Sequence, residues 1–181
     1  MIMRRHDTQK GFSLVETLVA IAILLIAVLA PMRIVAQSIK ASVFSREQLT
    51  AVFLAQEGLE SMRRLRDNSA ISGSDTWEWY DSVIPNACKN ATGCSYDVSL
   101  DSFVACSGSN CRFYFDEDAS SGVFYSHHSD VGEQALFERV ITITEQSSGE
   151  VLVTSVVSWE SSVLRDTISV TLETKIFDQY E

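Results

Sequence analysis

Lys10-Gly11-Phe12-Ser13-Leu14-Val15-Glu16-Thr17, running directly into the uncharged stretch LVAIAILLIAVLAPM at 18–32, is the part of the sequence on which the fold turns. A basic leader, a glycine, an aromatic residue and one lone carboxylate stand at the mouth of a long apolar helix. The uncharged core alone is short for a membrane span, which needs about 20 residues. Counted from Phe12 to Met32 it reaches 21, with Glu16 as the single interruption. A carboxylate inside a bilayer costs about 2.5–3.5 kcal/mol or more, so Glu16 is a functional-site candidate. Pro31 removes one backbone donor and is expected to weaken or kink the helix near its far end.

Charge is placed asymmetrically around this span. The 181 residues carry a formal net charge of −10. The first eleven hold Arg4, Arg5 and Lys10 against Asp7, whereas the remainder holds 11 basic and 23 acidic side chains. A basic flank before an apolar span keeps the N-terminus cytoplasmic and sends the rest across. The acidic balance argues against direct nucleic-acid binding, which needs a basic face. Cys88, Cys94, Cys106 and Cys111 fit export, since an even count in an oxidising compartment reads as disulfides. Four cysteines allow three connectivities. Local pairing, Cys88 with Cys94 and Cys106 with Cys111, closes two short loops and is the expected one. A four-thiolate zinc site is the rival, but the C-x5-C and C-x4-C spacings are wider than usual zinc pairs. A cleaved secretory signal is the rival reading of the apolar stretch. Its best small-residue site, after Ala36, matches poorly, and a signal core has no use for Glu16.

The helical pattern continues past the membrane-length segment. Ile34, Val35, Ile39, Val43, Leu49, Val52, Phe53, Leu59, Met62 and Leu65 recur at helical spacing. Arg33, Lys40, Arg46, Glu47, Glu57, Arg63, Arg64 and Arg66 fill the other faces, with Glu57, Arg63 and Arg64 read as ordinary surface pairs. Asn68-Ser69 and Ser72-Gly73-Ser74 end it. One helix over 12–68 is about 85 Å long at 1.5 Å per residue. Residues 69–120 are rich in Ser, Asn, Gly and Asp, with apolar patches at 77–80, 96–100 and 112–115 that predict short strands in a loop-rich region. Residues 137–144, 151–159 and 163–177 alternate and are β-branched, separated by turns at 147–150 and 160–162: an antiparallel meander. One face of such a sheet needs cover, and the amphipathic half of the helix supplies it. The predicted fold class is α+β, a long N-terminal helix packed on a C-terminal antiparallel sheet with a disulfide-containing loop region. The expected divisions are a leader at 1–11, a membrane or filament-core helix at 12–36, its amphipathic half at 37–68, and an exported globular part at 69–181.

The run Gly11-Phe12-Ser13-Leu14-Val15-Glu16-Thr17-Leu18 resembles the class III signal of type IV pilins and pseudopilins. The resemblance covers residues 4–35; beyond it only the architecture is similar. It implies that a prepilin peptidase and methyltransferase cuts between Gly11 and Phe12 and N-methylates Phe12, and that Glu16 lies beside that amine in a filament. A carboxylate and an amine each lose hydration in a low-dielectric bundle, and pairing offsets the loss, so Glu16 becomes a register device. Snorkelling of Glu16 to the headgroups is the simpler alternative. Other implied partners are further pilin or pseudopilin subunits and an inner-membrane assembly platform. The implied location is a single-pass inner membrane with an exported C-terminal part, then a pilus or pseudopilus at the cell surface or in the periplasm. Mid-chain cysteines, the apolar run 16–24 and Val156-Val157-Ser158-Trp159 before the last strand resemble minor subunits more than the abundant one.

Little else carries chemistry. His127 and His128 adjoin Tyr125 and Asp130 in a Ser/Gly-rich stretch and read as a solvated loop. Asp116-Glu117-Asp118 with Ser120 and Gly122 is spaced like part of a calcium loop but lacks the acid at position twelve. Asn90-Ala91-Thr92 is a formal glycosylation sequon, and Gln56-Glu57-Gly58 reads as helix packing. No nucleophile elbow, phosphate loop or zinc-protease motif is present; no metal or cofactor is expected and the chain reads as non-enzymatic. The competing function is a membrane-anchored exported binding module, not assembled into a filament, with Trp77, Trp79 and Tyr80 as its contact surface.

Overall fold

The structure, a computed structural model, describes residues 11, 13–72, 77–107, 111–115, 125–129 and 132–178. Its first element is helix α1, Leu14–Ile71. Ser13 precedes it as N-cap, its Oγ accepting the Glu16 N–H at 3.2 Å. This is the backbone-capping half of an S-x-x-E capping box, and Glu16 in the first turn also complements the positive end of the helix dipole. The helix runs through Pro31 without a break in its assignment. It ends at 71, where the Ser72 N–H and hydroxyl both donate to the Asn68 carbonyl.

By packing, the chain divides into two units, Met1–Val43 and Phe44–Glu181. In the first, every described residue is exposed, among them Leu14, Ile23, Leu24, Ile26 and Ile34. The helix is long and apolar enough, by length and composition, to cross a membrane.

In the second unit seven strands form one sheet: β1 Cys94–Asp97, β2 Ser102–Ala105, β3 Arg112–Phe115, β4 Tyr125–Ser126, β5 Glu133–Ser147, β6 Glu150–Glu160 and β7 Thr167–Phe177. All pairings are antiparallel. One edge of β5 pairs with β6 along its length, and β6 with β7. The other edge is shared, β3 facing Glu133–Glu138 and β1 meeting it at Ile141. The meander read from β-branched alternation is therefore present. The patch at 77–80 leads into a π-helical turn, Trp79–Val83, rather than a strand. Trp79 and Tyr80 are buried there, where aromatic bulk fills the space beside the Cys88–Cys94 loop.

Disulfides join Cys88 to Cys94 and Cys106 to Cys111. The first loop returns through Gly93 at φ +72°, where a Cβ would lie 2.3 Å from the Val140 side chain, so only glycine fits.

The helix–sheet core has two apolar clusters. Leu59, Met62, Trp79, Ile84, Tyr96, Ile141, Ile143, Val151 and Val153 belong to one. Ala51, Leu54, Ala55, Phe113, Phe137, Val157 and Trp159 form the other. The helix side of this core departs from the sequence reading. Leu49 and Phe53 are 55% and 64% exposed, whereas Glu47, Ala51, Ala55, Gly58 and Ser61 are buried. Leu59 and Met62 are buried as the spacing suggests, and small residues beside them let the helix backbone come close to the sheet, so the buried stripe is rotated away from Leu49 and Phe53.

Candidate functional sites

The candidate processing site lies at the N-terminal end. Gly11 is exposed and non-helical, with no atom within 4 Å of where a Cβ would sit. Phe12 and the leader 1–10 lie outside the described residues, as does the calcium-like run 116–122. Glu16 is exposed in the first turn of the helix. Thr17 Oγ1 donates to the Leu14 carbonyl at 2.8 Å, tightening that turn. Ser13 was missed as a cap; serine three residues before a glutamate and an apolar run is its signal.

The second unit holds polar chemistry at its waist. On β5 Arg139 lies between Phe137 of one cluster and Ile141 of the other, and is 1% exposed. Its guanidinium donates from Nη1 to the Leu54 carbonyl at 2.9 Å and to Glu57 Oε2 at 3.4 Å. Nη2 donates to the Tyr96 carbonyl, and Nε to Ser95 Oγ at 3.1 Å. It also lies 4.9 Å from the Phe113 ring centre. Burial pulls its pKa down, opposed by Glu57 and Asp97. Gly58 makes room for it: a Cβ there would stand 2.9 Å from Ser155 Oγ, 3.1 Å from Arg139 Cδ and 3.2 Å from Ile141 Cδ1. Glu57 is thus tied to a buried arginine, while Arg63 pairs with Glu60 at 3.3 Å and Arg64 with Asp101 at 3.1 Å. Arg63–Glu60 is the ordinary exposed i,i+3 pair that helical spacing suggests, whereas Glu57 and Arg64 reach partners beyond the helix.

Ser95 hands the network on to His127. Ser95 Oγ and His127 Nε2 are 2.7 Å apart, and Nδ1 is 2.9 Å from the Arg112 carbonyl. A carbonyl only accepts, so Nδ1 carries the hydrogen and Nε2 accepts from the Ser95 hydroxyl. His127 stacks on Phe113 at 4.2 Å and is 8% exposed. The expected solvated loop is corrected at this residue. Burial, then the charge of Arg139, push its pKa down to about 4, against weaker upward pulls from the Arg112 carbonyl bond and Asp97.

Asp97, 2% exposed, accepts on Oδ1 from the Ser99 N–H at 2.9 Å, the Leu100 N–H at 3.3 Å and the Ser99 hydroxyl. Oδ2 accepts from Ser126 Oγ at 2.9 Å and the His127 N–H at 2.8 Å. Burial raises the Asp97 pKa, but these donors outweigh it and the net shift is downward. The carboxylate is saturated and offers no cation site. Glu47, on the helix, clamps the β6–β7 turn, accepting from Trp159 Nε1 at 3.3 Å, Ser161 Oγ at 3.1 Å, and the Ser162 N–H and hydroxyl.

Ser95 next to His127 has the elements of a nucleophile and base, but Ser95 is 0% exposed. No substrate reaches its hydroxyl in this conformation, so the pair holds structure. Among the described residues no group of three or more His, Cys, Asp or Glu side chains is placed to hold a metal.

Residues 7–30 match the family model of the prokaryotic N-terminal methylation motif. No curated protein and no solved structure matches the chain.

Proposed function

We infer the role of this chain from the family its N-terminal motif supports, that of the type IV pilin and pseudopilin precursors. This family is structural, and its precursors are processed by prepilin peptidase. We propose that the protein is a minor structural subunit of a type IV pilus or a type II secretion pseudopilus. In this reading prepilin peptidase cuts between Gly11 and Phe12 and Phe12 is N-methylated. The helix first anchors the chain in the inner membrane, with residues beyond it exported, and then leaves the bilayer to pack against other subunits.

One observation carries the reading. The methylation motif at 7–30 extends into a helix whose apolar side chains are exposed on every face through Met32, with every described residue exposed as far as Val43. Lipid or neighbouring helices must cover such a surface. Once lipid is exchanged for protein, Glu16 lacks headgroups and water, and the amine of Phe12 is its fitting partner. The assignment to a minor subunit draws on the cysteines lying mid-chain.

Mass spectrometry of the mature protein tests the cut: an N-methylated Phe12 is expected, and an intact Met1 or an N-terminus at Gln37 rejects it. Glu16→Ala is expected to leave membrane insertion unchanged and to impair incorporation into filaments. Normal incorporation of that variant removes the register role of Glu16.

A further inference from the structure

We propose that His127 is the titrating bolt of a clasp that holds β4 against β1 and loosens as the surroundings become acidic. Among the described strands β4 pairs only with β3, through Tyr114–Ser126 and Phe115–Tyr125. It is tied to β1 by side chains: Asp97 accepts from Ser126 Oγ and the His127 N–H, and the Ser95 hydroxyl donates to His127 Nε2. Ring contacts of Tyr125 with Phe113, Phe115 and Phe137 also hold the strand, but its ties to β1 are polar and work in one protonation state.

The groups facing His127 come from four elements. Strand β1 supplies Ser95 and Asp97, β3 the Arg112 carbonyl and the Phe113 ring, and β5 the Arg139 guanidinium. Helix α1 reaches it through Glu57 on Arg139. The neutral ring fits this set: Arg139 Nε–H donates to Ser95 Oγ, whose hydrogen goes to Nε2, while Nδ1–H goes to the Arg112 carbonyl. A proton on Nε2 reverses the middle link. Ser95 Oγ then receives two cationic donors, and its own hydrogen loses its acceptor in a fully buried site. Asp97 is the nearest opposing charge, but five donors already occupy it.

The direction follows from linkage. The closed imidazole titrates near 4, against an ordinary value of 6.5 once released. The open state therefore binds more protons below about pH 6.5, and the closed form loses ground up to tenfold per pH unit until about pH 4. Arg139 stays charged throughout, and Asp97 is held below the ordinary carboxylate range, so the upper part of this window belongs to the imidazole.

Hydrogen exchange on the full chain in detergent micelles, read over residues 125–129 and corrected for intrinsic rates, tests the clasp. Protection in the wild type is expected to fall roughly five- to tenfold between pH 6 and pH 5. His127→Gln, whose amide can accept from Ser95 and donate to the Arg112 carbonyl, is expected to hold protection constant over that interval. His128→Gln is the control and should keep the fall. A flat wild-type profile, or an equal fall in His127→Gln, overturns the proposal. If His127→Gln does not fold, NMR of the wild-type imidazole decides: the neutral Nδ1–H form should persist below pH 5, and a folded-state midpoint near 6.5 overturns the clasp.

Discussion

Removing the Arg139 side chain would leave the Tyr96 carbonyl and Ser95 Oγ without their donor in a dry site, beside a cavity between two apolar clusters. Breaking a buried charged network by deleting one partner costs about 3–5 kcal/mol. Arg139→Ala is therefore expected to destabilise the folded unit by that amount in denaturant unfolding. Glu57→Ala should cost less than about 1 kcal/mol, because the Glu57 side chain is 39% exposed and its pair with Arg139 is long. Similar losses from both would mean that the ion pair, not the carbonyl bonds, carries the stability. Gly58 gives a second test. Alanine is the better helix former by about 1 kcal/mol, yet its Cβ would meet Ser155, Arg139 and Ile141 at 2.9–3.2 Å, and overpacking costs about 1–3 kcal/mol. Gly58→Ala should lower Tm, and adding Ser155→Ala should recover part of the loss. Among the described residues the buried Ser155 hydroxyl has no hydrogen-bond partner to lose. Both roles were partly legible. Two-residue alternation puts Arg139 on the same face as Phe137, Ile141 and Ile143. Its partners come from segments about 40 and 80 residues away, which no local pattern announces.

At the scale of elements, strands were easier to read than the face of the helix. Strands β5, β6 and β7 declare themselves through β-branched alternation, and their burial follows it. Helix α1 was legible as a helix, but its buried stripe only in part: Leu59 and Met62 are inside, Leu49 and Phe53 are not. Large apolar side chains are the usual guide to a buried face, whereas here Ala51, Ala55 and Gly58 permit close packing and Phe53 is left outside. Glu47 was equally misleading, a charged residue that belongs to the interior because the end of β6 brings Trp159 to it and the β6–β7 turn brings Ser161 and Ser162. This gives Glu47 a pH signature distinct from that of His127. Burial alone raises the Glu47 pKa; hydrogen bonds from Ser162, Ser161 and Trp159 outweigh it, and the net shift is downward from 4.5. A carboxylate depressed in the folded state contributes stability that is fully present above its unfolded pKa and is lost as pH falls through the folded one. Glu47→Gln should therefore flatten the stability profile below about pH 4.5 and leave the region from pH 6.5 to 4.5, set by His127, unchanged. At neutral pH Glu47→Ala is expected to cost about 1–3 kcal/mol through its orphaned donors, seen as loss of protection in the turn at 161–166.

At the scale of the whole molecule the helix takes part in two kinds of packing, and the change falls at 43/44. Up to Val43 every described residue is exposed, and to Met32 the surface is apolar all round; from Phe44 onward the helix supplies one wall of a closed core that also holds the Cys88–Cys94 disulfide. A chain beginning at Phe44 keeps Glu47, Leu54, Gly58 and Met62, and with them every helix residue that touches the sheet core. It loses the apolar surface that demands lipid or partner helices. The expected outcome is that residues 44–181, exported and oxidised, form a soluble, cooperatively unfolding monomer, and that the full chain needs detergent. Acidic excess in this fragment favours the monomer, since like net charge opposes non-specific association. Size-exclusion chromatography with light scattering and a single unfolding transition check this together. A fragment that aggregates, or unfolds without cooperativity, would mean that residues before 44 contribute to the core after all. A stable monomeric fragment would place the drive for association in the segment that carries Glu16, as the filament reading requires. The globular unit would then be free to specialise, and its clasp at His127 could respond to acidity without altering how the helix packs.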